Sequence, residues 1–422
     1  MEKKLIYHID VNSAFLSWEA DYRIHHLGGT VDLRNEIAAV GGDMAARHGI
    51  ILAKSIPAKK YGIKTGESIL EARQKCPALI IVPPNYRLYE RCSKAFVDIL
   101  KNYTPAVEQY SIDECFLDMS ATQELWGDPV TVATQIKNKI RDHLGFTVNI
   151  GISNNKLLAK MASDFKKPDR VHTLFPDEIE RKMWPLPVSD LFYVGRATLK
   201  KLTNLGIYTI GDLAKADPEI LKKHLKKQGE VIWAFANGLD SSIVASAPPP
   251  NKGYGNSTTI AFDVDSEEGA SLVLLALAET VAARLREARV RAEVIAVGIK
   301  TSDFRYYSHQ MVLENATNIT QEIHKYAVIL FREIWDGSPV RHLGIHTSRL
   351  RDGIDIRQLN IFDRTDYEKL MKLDSAVDRI RHRYGNDSIK RAVFLMGNKI
   401  DHMSGGISRE KRSVDYNKIK VD

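Results

Sequence analysis

The sequence predicts a multidomain α+β protein. Three observations carry that expectation. At about 150 residues per domain, 422 residues make room for roughly three domains. Hydrophobic residues make up 44% and charged residues 27%, enough apolar material for packed cores. The strand signals fall in two separate regions, divided by a stretch that reads as helix only.

Residues 5–9 are apolar and strand-like and end at Asp10. Residues 13–22 read as a helix. Strands are expected at 37–40, stopped by Gly41-Gly42, and at 50–53, followed by a basic segment over 54–64. Residues 68–75 are helical, 79–82 a strand, and 86–103 a long helix. Residues 107–110 and 115–119 form a hairpin around Ser111-Ile112-Asp113-Glu114. A helix over 129–143, a strand over 148–151 and a helix over 155–164 complete a mixed core. From 176 to 238, short helices separated by Gly and Pro replace strands. Ala247-Pro248-Pro249-Pro250-Asn251-Lys252-Gly253 is a linker signal. Beyond it come a helix (266–288), strands (294–300 and 306–313), a helix (320–334) and a strand (340–348), a second α+β unit. Residues 367–384 are expected to be helical, and residues from about 401 a polar tail.

The formal net charge is +7, which permits a polyanionic partner. Cys76, Cys92 and Cys115 stand far apart, so neither a disulfide framework nor a zinc module is expected, and a cytoplasmic compartment is. No apolar run reaches the ~18 residues of a membrane span, so no membrane partner is expected. Neither GxxxxGK[ST] nor GxGxxG is present, which disfavours a P-loop or Rossmann site.

Asp10 closes an apolar strand, and Asp113 and Glu114 sit at a hairpin. A carboxylate at the end of a buried strand needs a partner. No His or Cys cluster flanks these acids, so oxygen-only ligation of a hard cation such as Mg²⁺ is the functional reading. The alternative is that Asp10 or Ser13 caps the following helix while Asp113 and Glu114 form an ordinary charged turn.

Four blocks, taken in order, change that balance. Tyr7-His8-Ile9-Asp10-Val11-Asn12-Ser13-Ala14-Phe15 resembles the first motif of Y-family translesion DNA polymerases. Tyr110-Ser111-Ile112-Asp113-Glu114-Cys115-Phe116 is similar to that family's central block. Gly151-Ile152-Ser153-Asn154-Asn155-Lys156-Leu157-Leu158-Ala159-Lys160, with Lys167-Pro168 downstream, resembles its third. Val194-Gly195-Arg196, through Leu205-Gly206-Ile207 to Leu213, resembles the thumb's helix-hairpin-helix.

The resemblance implies a right-hand polymerase with palm (1–25 and 77–172), small fingers (26–76), helix-hairpin-helix thumb (173–242), linker (243–253), α+β little finger (254–350) and a C-terminal tail (351–422). It implies that Asp10, Asp113 and Glu114, with the Val11 carbonyl, hold two Mg²⁺ ions. It implies that a primer 3′-hydroxyl attacks the α-phosphate of a deoxynucleoside triphosphate on primer-template DNA. Phe15 matches the steric gate against a ribose 2′-hydroxyl; a core Phe is the alternative. Ser55, Lys59 and Lys167 match triphosphate contacts. Many relatives carry Tyr where Ile56 stands and Arg where Lys59 stands, and these departures point toward the DNA polymerase V branch, with accessory polymerase subunits or a recombinase as possible partners.

Gly195, Gly206, Lys200 and Lys201 are the expected thumb contacts to DNA, with a further basic cluster over Lys222, Lys223, Lys226 and Lys227. Arg284, Arg286, Arg289, Arg291 and Arg305 are expected to track the duplex from the last α+β unit. Gln358-Leu359-Asn360-Ile361-Phe362 resembles the peptide that binds the bacterial sliding clamp; Leu359, Ile361 and Phe362 would enter a groove and Gln358 its rim. Two other classes were weighed. A catalytically silent DNA-binding repair scaffold on the clamp is disfavoured by the intact acids. A palm-type nucleotidyl cyclase is disfavoured because Gly41-Gly42-Asp43 lacks the rest of that signature.

Overall fold

The structure is a computed structural model; it describes residues 4–42, 49–247, 249–352, 357, 365–395 and 400. Along the first region run β1 (Ile6–Val11), α1 (Ala14–Leu27), β2 (Ala38–Gly41), β3 (Ile51–Lys54), α2 (Ile56–Lys60), α3 (Ile69–Lys75), β4 (Ile80–Val82), α4 (Tyr86–Leu100), β5 (Val107–Gln109), β6 (Glu114–Asp118), α5 (Gln123–Trp126), α6 (Pro129–Leu144), β7 (Val148–Ser153), α7 (Lys156–Ser163) and β8 (Val171–Thr173). Five of these strands form one sheet in the order β5-β6-β1-β7-β8, with β1 central and antiparallel to both neighbours. A smaller sheet, β3-β2-β4, packs beside it.

The central sheet is covered on one face by α4 and α6 through Tyr89, Phe96, Ile136 and Ile140. On the other face α7 lies directly on β1 and β7. Its approach is so close that a Cβ at Gly151 would sit 2.0 Å from the Ala159 carbonyl. This is why the block around Gly151 tolerates no side chain there. Ser13 occupies the N-cap position of α1 in the left-handed region (φ 48°), and its side chain makes no capping bond. Neither does the Asp10 carboxylate cap α1; it bonds to Lys167 instead.

The second region is helical, as expected: α8 (Ile179–Lys182), α9 (Arg196–Asn204), α10 (Ile210–Lys215), α11 (Pro218–Leu225) and α12 (Lys227–Ala236). They share a core of Leu202, Ile210, Leu213, Leu221 and Ile232 with Leu157 and Leu158 of α7. The stretch after α12 is tied down where it starts: Ala245 N donates to Glu108 Oε2 at 2.8 Å, and Val244 packs against Ile6 and Phe116.

The third region holds β9 (Gly253–Val264), α13 (Glu267–Glu287), β10 (Val290–Thr301), β11 (Tyr306–Thr317), α14 (Thr320–Ile334), β12 (Val340–Asp352) and α15 (Tyr367–Tyr384). The sheet order is β11-β10-β12-β9, so the unit has four strands where three were expected. β9 escapes sequence reading because Gly253, Gly255 and a polar run dilute its period. Both glycines are needed, since a Cβ at Gly255 would lie 2.2 Å from His346 Nδ1. β8, α2 and α5 are short and were not among the expected elements.

The C-terminal stretch is more than a tail. α15 packs onto the helical side of this unit: Arg286 pairs with Asp374 (3.0 Å) and Asp378 (2.6 Å), and Asp374 Oδ2 accepts from Thr320 N. Arg381 and Arg391 both reach Glu279, at 3.2 and 2.8 Å, and Phe394 joins the core. No helix among the described residues is long and apolar enough to cross a membrane.

Candidate active site

β1 delivers Asp10 and the β5–β6 hairpin delivers Asp113 and Glu114. The register sets Asp10 directly across from Glu114, while Asp113 lies in the turn. Val11 N donates to the Asp113 carbonyl at 3.0 Å, which locks the turn against the end of β1. The turn placement removes the opposite-face problem of two adjacent strand residues.

Each acid has its own partner. Lys167 Nζ donates to Asp10 Oδ1 at 3.0 Å and also pairs with Asp164 at 2.9 Å. Ser111 Oγ donates to Asp113 Oδ1 at 2.6 Å. Lys160 Nζ donates to Glu114 Oε1 at 2.5 Å. Burial pushes the Asp10 carboxyl up to about 7, outweighing the pull of Lys167, and the nearby Glu114 adds to the rise. Burial disfavours the Lys167 ammonium, but Asp10 and Asp164 outweigh it and raise its pKa.

His8 lies under Glu114. It is fully buried, and its Nδ1 is 2.7 Å from Ser163 Oγ, whose hydroxyl donates to the Lys160 carbonyl. That arrangement makes Nδ1 the protonated nitrogen. Nε2 faces Glu114 Oε1 at 3.9 Å and has no hydrogen-bond partner. Burial, then Lys160, Lys167 and Lys156, hold its pKa well below the ordinary histidine value.

A cavity of about 290 Å³ opens beside these acids, lined by Asp10, Val11, Ser13, Ala14, Phe15, Leu52, Ala53, Lys54, Thr65 and Asp113. Phe15 stands at its wall, stacked on Tyr89 with centroids 4.4 Å apart and planes 10° apart. Lys54 ends β3 and Thr65 lies in the loop between α2 and α3; neither was singled out from the sequence as a site residue. Lys54 Nζ donates to Thr65 Oγ1 at 3.1 Å, and burial, then the Lys59 charge, lower its pKa.

The donor set suits a hard cation: three carboxylates, backbone carbonyls and no soft ligand. As the side chains stand, no group of three or more His, Cys, Asp or Glu among the described residues is arranged to hold an ion. The cause is visible, because Lys167, Ser111 and Lys160 each occupy one acid. Two of those three partners are ammonium groups standing on carboxylates, the charge complement that a cation would supply.

Several expected contacts change. Ser55 is buried, and its one hydroxyl proton goes to the Glu36 carbonyl at 2.6 Å while the oxygen caps α2 at Ala58 N. Ser55 is therefore a structural cap, and the expectation that it reaches a triphosphate is corrected. Lys59 is exposed on α2 and free to do so. In the helical unit, Gly195 is the exposed N-cap of α9, and Lys200 and Lys201 are exposed on that helix. Gly206 (φ 77°) makes the hairpin turn, but its amide donates to Thr203 O and the Ile207 amide to Leu202 O. Those hairpin amides are spent, and the outward first-turn amides of α9 are the better anion donors.

Arg289 is exposed at the turn before β10, with φ 56°. Arg291 is half-buried, within reach of Met371 on α15 and close to Arg357 and Glu322. Arg286 is tied to Asp374 and Asp378. The expectation that Arg286 tracks a duplex is corrected, because its guanidinium is committed to α15, whereas Arg291 keeps part of its surface in solvent. Gln358, Leu359, Ile361 and Phe362 lie outside the described residues.

Residues 9–164 match the impB/mucB/samB family, residues 251–361 its C-terminal domain, and residues 176–207 the HHH motif of that family. This chain belongs to the Y-family of DNA polymerases. It is 46% identical to a DNA polymerase IV of Clostridium acetobutylicum over 393 residues, 93% of this chain and 98% of that protein. It is 39% identical to a DNA polymerase IV of Acetivibrio thermocellus, over 93% of this chain and 98% of the relative. It is 36% identical to DNA polymerase IV 2 of Bacillus subtilis, over 94% and 95%. A Y-family DNA polymerase chimera of known structure shares the fold, with a TM-score of 0.70 and 21% identity over 83% of this chain and 100% of that one. The expected leaning toward the DNA polymerase V branch is not supported, since these relatives are named DNA polymerase IV. It rested on Ile56 and Lys59, two exposed positions on one short helix, which weigh little against similarity along the whole chain.

Proposed function

We propose that this chain is a template-directed, low-fidelity DNA polymerase that copies past damaged template bases during DNA repair. The observation that supports it best is the juxtaposition of Asp10, Asp113 and Phe15 around one cavity, with Glu114 across from Asp10. Asp10, Asp113 and Glu114, with the Val11 carbonyl, would hold two Mg²⁺ ions. When bound, such ions neutralise charge on the attacking and leaving oxygens of an in-line phosphoryl transfer.

The residues themselves do the positioning, on which this chemistry depends. Phe15, braced by Tyr89, stands at the cavity wall, where it would exclude the 2′-hydroxyl of a ribonucleotide. Lys54 lines the cavity, Lys167 stands on Asp10 at its edge and exposed Lys59 follows on α2, three cationic donors that would serve triphosphate oxygens. The N terminus of α9, with Lys200 and Lys201, grips a phosphate backbone without reading bases. Exposed Arg289 adds a contact from the third region. The four-part division into palm, fingers, thumb and little finger assigns these roles to separate units. Gln358 to Phe362 would dock on the bacterial sliding clamp and turn weak DNA binding into an effectively intramolecular event.

The test is primer extension with the purified chain, four deoxynucleoside triphosphates and Mg²⁺, on an intact template and on one carrying an abasic site. Extension through the abasic site, abolished by chelation of the metal, supports the reading. Extension that always stops at the lesion contradicts the translesion part, and tight DNA binding without any synthesis favours a scaffold.

A further inference from the structure

Glu114 is held by a lysine that also touches the thumb. Lys160 on α7 is buried to 8% exposure, and its ammonium lies 2.5 Å from Glu114 Oε1. The same ammonium stands 5.4 Å from the ring centroid of Tyr110 and 5.4 Å from that of Phe192. Both are within cation–π reach. Tyr110 belongs to the hairpin of the acids, whereas Phe192 belongs to the helical unit.

Phe192 is itself built in. It meets Tyr193 edge-to-face at 4.7 Å, and Phe235 of α12 stacks with it at 6.5 Å. Tyr193 takes a left-handed backbone conformation (φ 75°), and its carbonyl accepts from Gln228 Nε2. Two residues later comes Gly195, the N-cap of α9. A continuous set of contacts therefore runs from the DNA-gripping end of the helical unit to one carboxylate of the active site. On the far side of Glu114, His8 Nε2 offers only a lone pair, so Lys160 is the cationic partner that fixes this carboxylate.

We propose that Lys160 is a positioning residue for nucleotidyl transfer, and that Phe192 of the thumb sets its placement and thereby that of Glu114. This rests on the reading of Glu114 as a metal-holding acid. Without DNA, the Lys160 ammonium neutralises Glu114 and competes with a divalent cation for it. Between its two aromatic faces it also keeps the carboxylate aimed. A shift of the Phe192–Tyr193 corner on gripping DNA moves the ammonium, and the carboxylate answers.

The experiment combines single-turnover extension with Mn²⁺ binding to the DNA-free protein, followed by electron paramagnetic resonance. Glu114→Gln, Lys160→Met, Lys160→Arg, Phe192→Leu, Phe192→Tyr and the double variant Lys160→Met/Phe192→Leu are compared. Lys160→Met should slow the step by up to about 100-fold, the cost of misplacing a reacting group. It should also bind Mn²⁺ more tightly than the parent, because the competing ammonium is gone. A lysine that merely filled the core would lower stability without tightening Mn²⁺. Phe192→Leu should slow the step by roughly 3- to 30-fold, the worth of a desolvated cation–π contact. Phe192→Tyr and Lys160→Arg should restore most of the rate. The double variant should be no slower than Lys160→Met alone.

Losses that multiply in the double variant, or a Phe192→Leu protein with the parent rate, would overturn the proposal. So would unchanged or weaker Mn²⁺ binding by Lys160→Met. Should Lys160→Met fail to fold, the two Phe192 variants still decide. A fully active Glu114→Gln protein would instead overturn the reading of the site itself.

Discussion

The palm and the C-terminal unit both bury charged side chains, and they treat them differently. In the C-terminal unit Glu279 is 3% exposed and receives two guanidinium groups, from Arg381 and Arg391. Asp374 accepts from Arg286 and from the Thr320 amide. Each of these carboxylates takes two donors from within the unit, and together they fasten α15 to it. In the palm, Asp10 and Glu114 each receive one ammonium, lie across from one another, and Asp10 opens on a cavity. The lesson concerns how to read buried acids. A carboxylate that takes two donors inside a packed interface is holding the fold together, whereas one with a single cationic partner beside open space is held ready for something else.

The largest expected difference is in catalysis. Asp10→Asn should lower extension by at least about 10³-fold, at the upper end of losses from one electrostatic group. Its melting temperature should stay level or rise, because a carboxyl that burial pushes up to about 7 is costly to ionise. A protein that melts earlier and still extends primers would place Asp10 with the structural acids.

Arg381→Ala should do the reverse. It leaves Glu279 with a single partner, at a cost of about 3–5 kcal/mol for breaking a buried pair. Urea unfolding of the C-terminal unit should show the loss, while extension of a short primed template by the folded fraction stays near the parent level. An unchanged unfolding midpoint would mean that α15 is fastened elsewhere.

Phe15→Ala tests the wall of the cavity. Discrimination against ribonucleotides should fall by roughly 10- to 200-fold, the range for a small steric difference in a pocket. Incorporation ratios for paired ribo- and deoxynucleotides measure it, and an unchanged ratio would return Phe15 to the core. The smallest effect is a pH dependence in the C-terminal unit. Burial holds the His324 pKa below the ordinary 6.5. The unfolded chain therefore takes up the proton first, and the stability from neutral His324 is present above pH 6.5 and is lost as pH falls below it. The unit should melt earlier at pH 5 than at pH 7.5, less so in His324→Asn; identical shifts in both would exclude His324 as the source.

Much of this contrast was legible in the residues, though unevenly. Asp10, Asp113 and Glu114 could be placed at a strand end and a hairpin by their apolar flanks, and with Phe15 on α1 they were singled out by the resemblance of their motif blocks. Their partners could not. Lys160 and His8 reach Glu114 only through the β1–β6 register and the close seat of α7 on Gly151. Lys54 and Thr65 reach the cavity only because the end of β3 and the loop before α3 come to lie beside Asp10 and Phe15. Ser55 looked like a free donor because a sequence does not show that one hydroxyl is already shared among Glu36, Ala38 and Ala58. Arg286 looked like a DNA contact because α15, which it holds, carries no motif. Strand β9 was hidden by Gly253 and Gly255, whose reasons are the Thr347 carbonyl and the His346 ring on the neighbouring strand.

The most direct measurement compares the parent with Asp113→Asn in parallel, scoring primer extension with Mg²⁺ and primer-template affinity by fluorescence anisotropy. Expected is extension lost in the variant with affinity within about twofold, since phosphate contacts rather than this acid hold the DNA. An Asp113→Asn protein that still extends primers at the parent rate would contradict the assignment of the site.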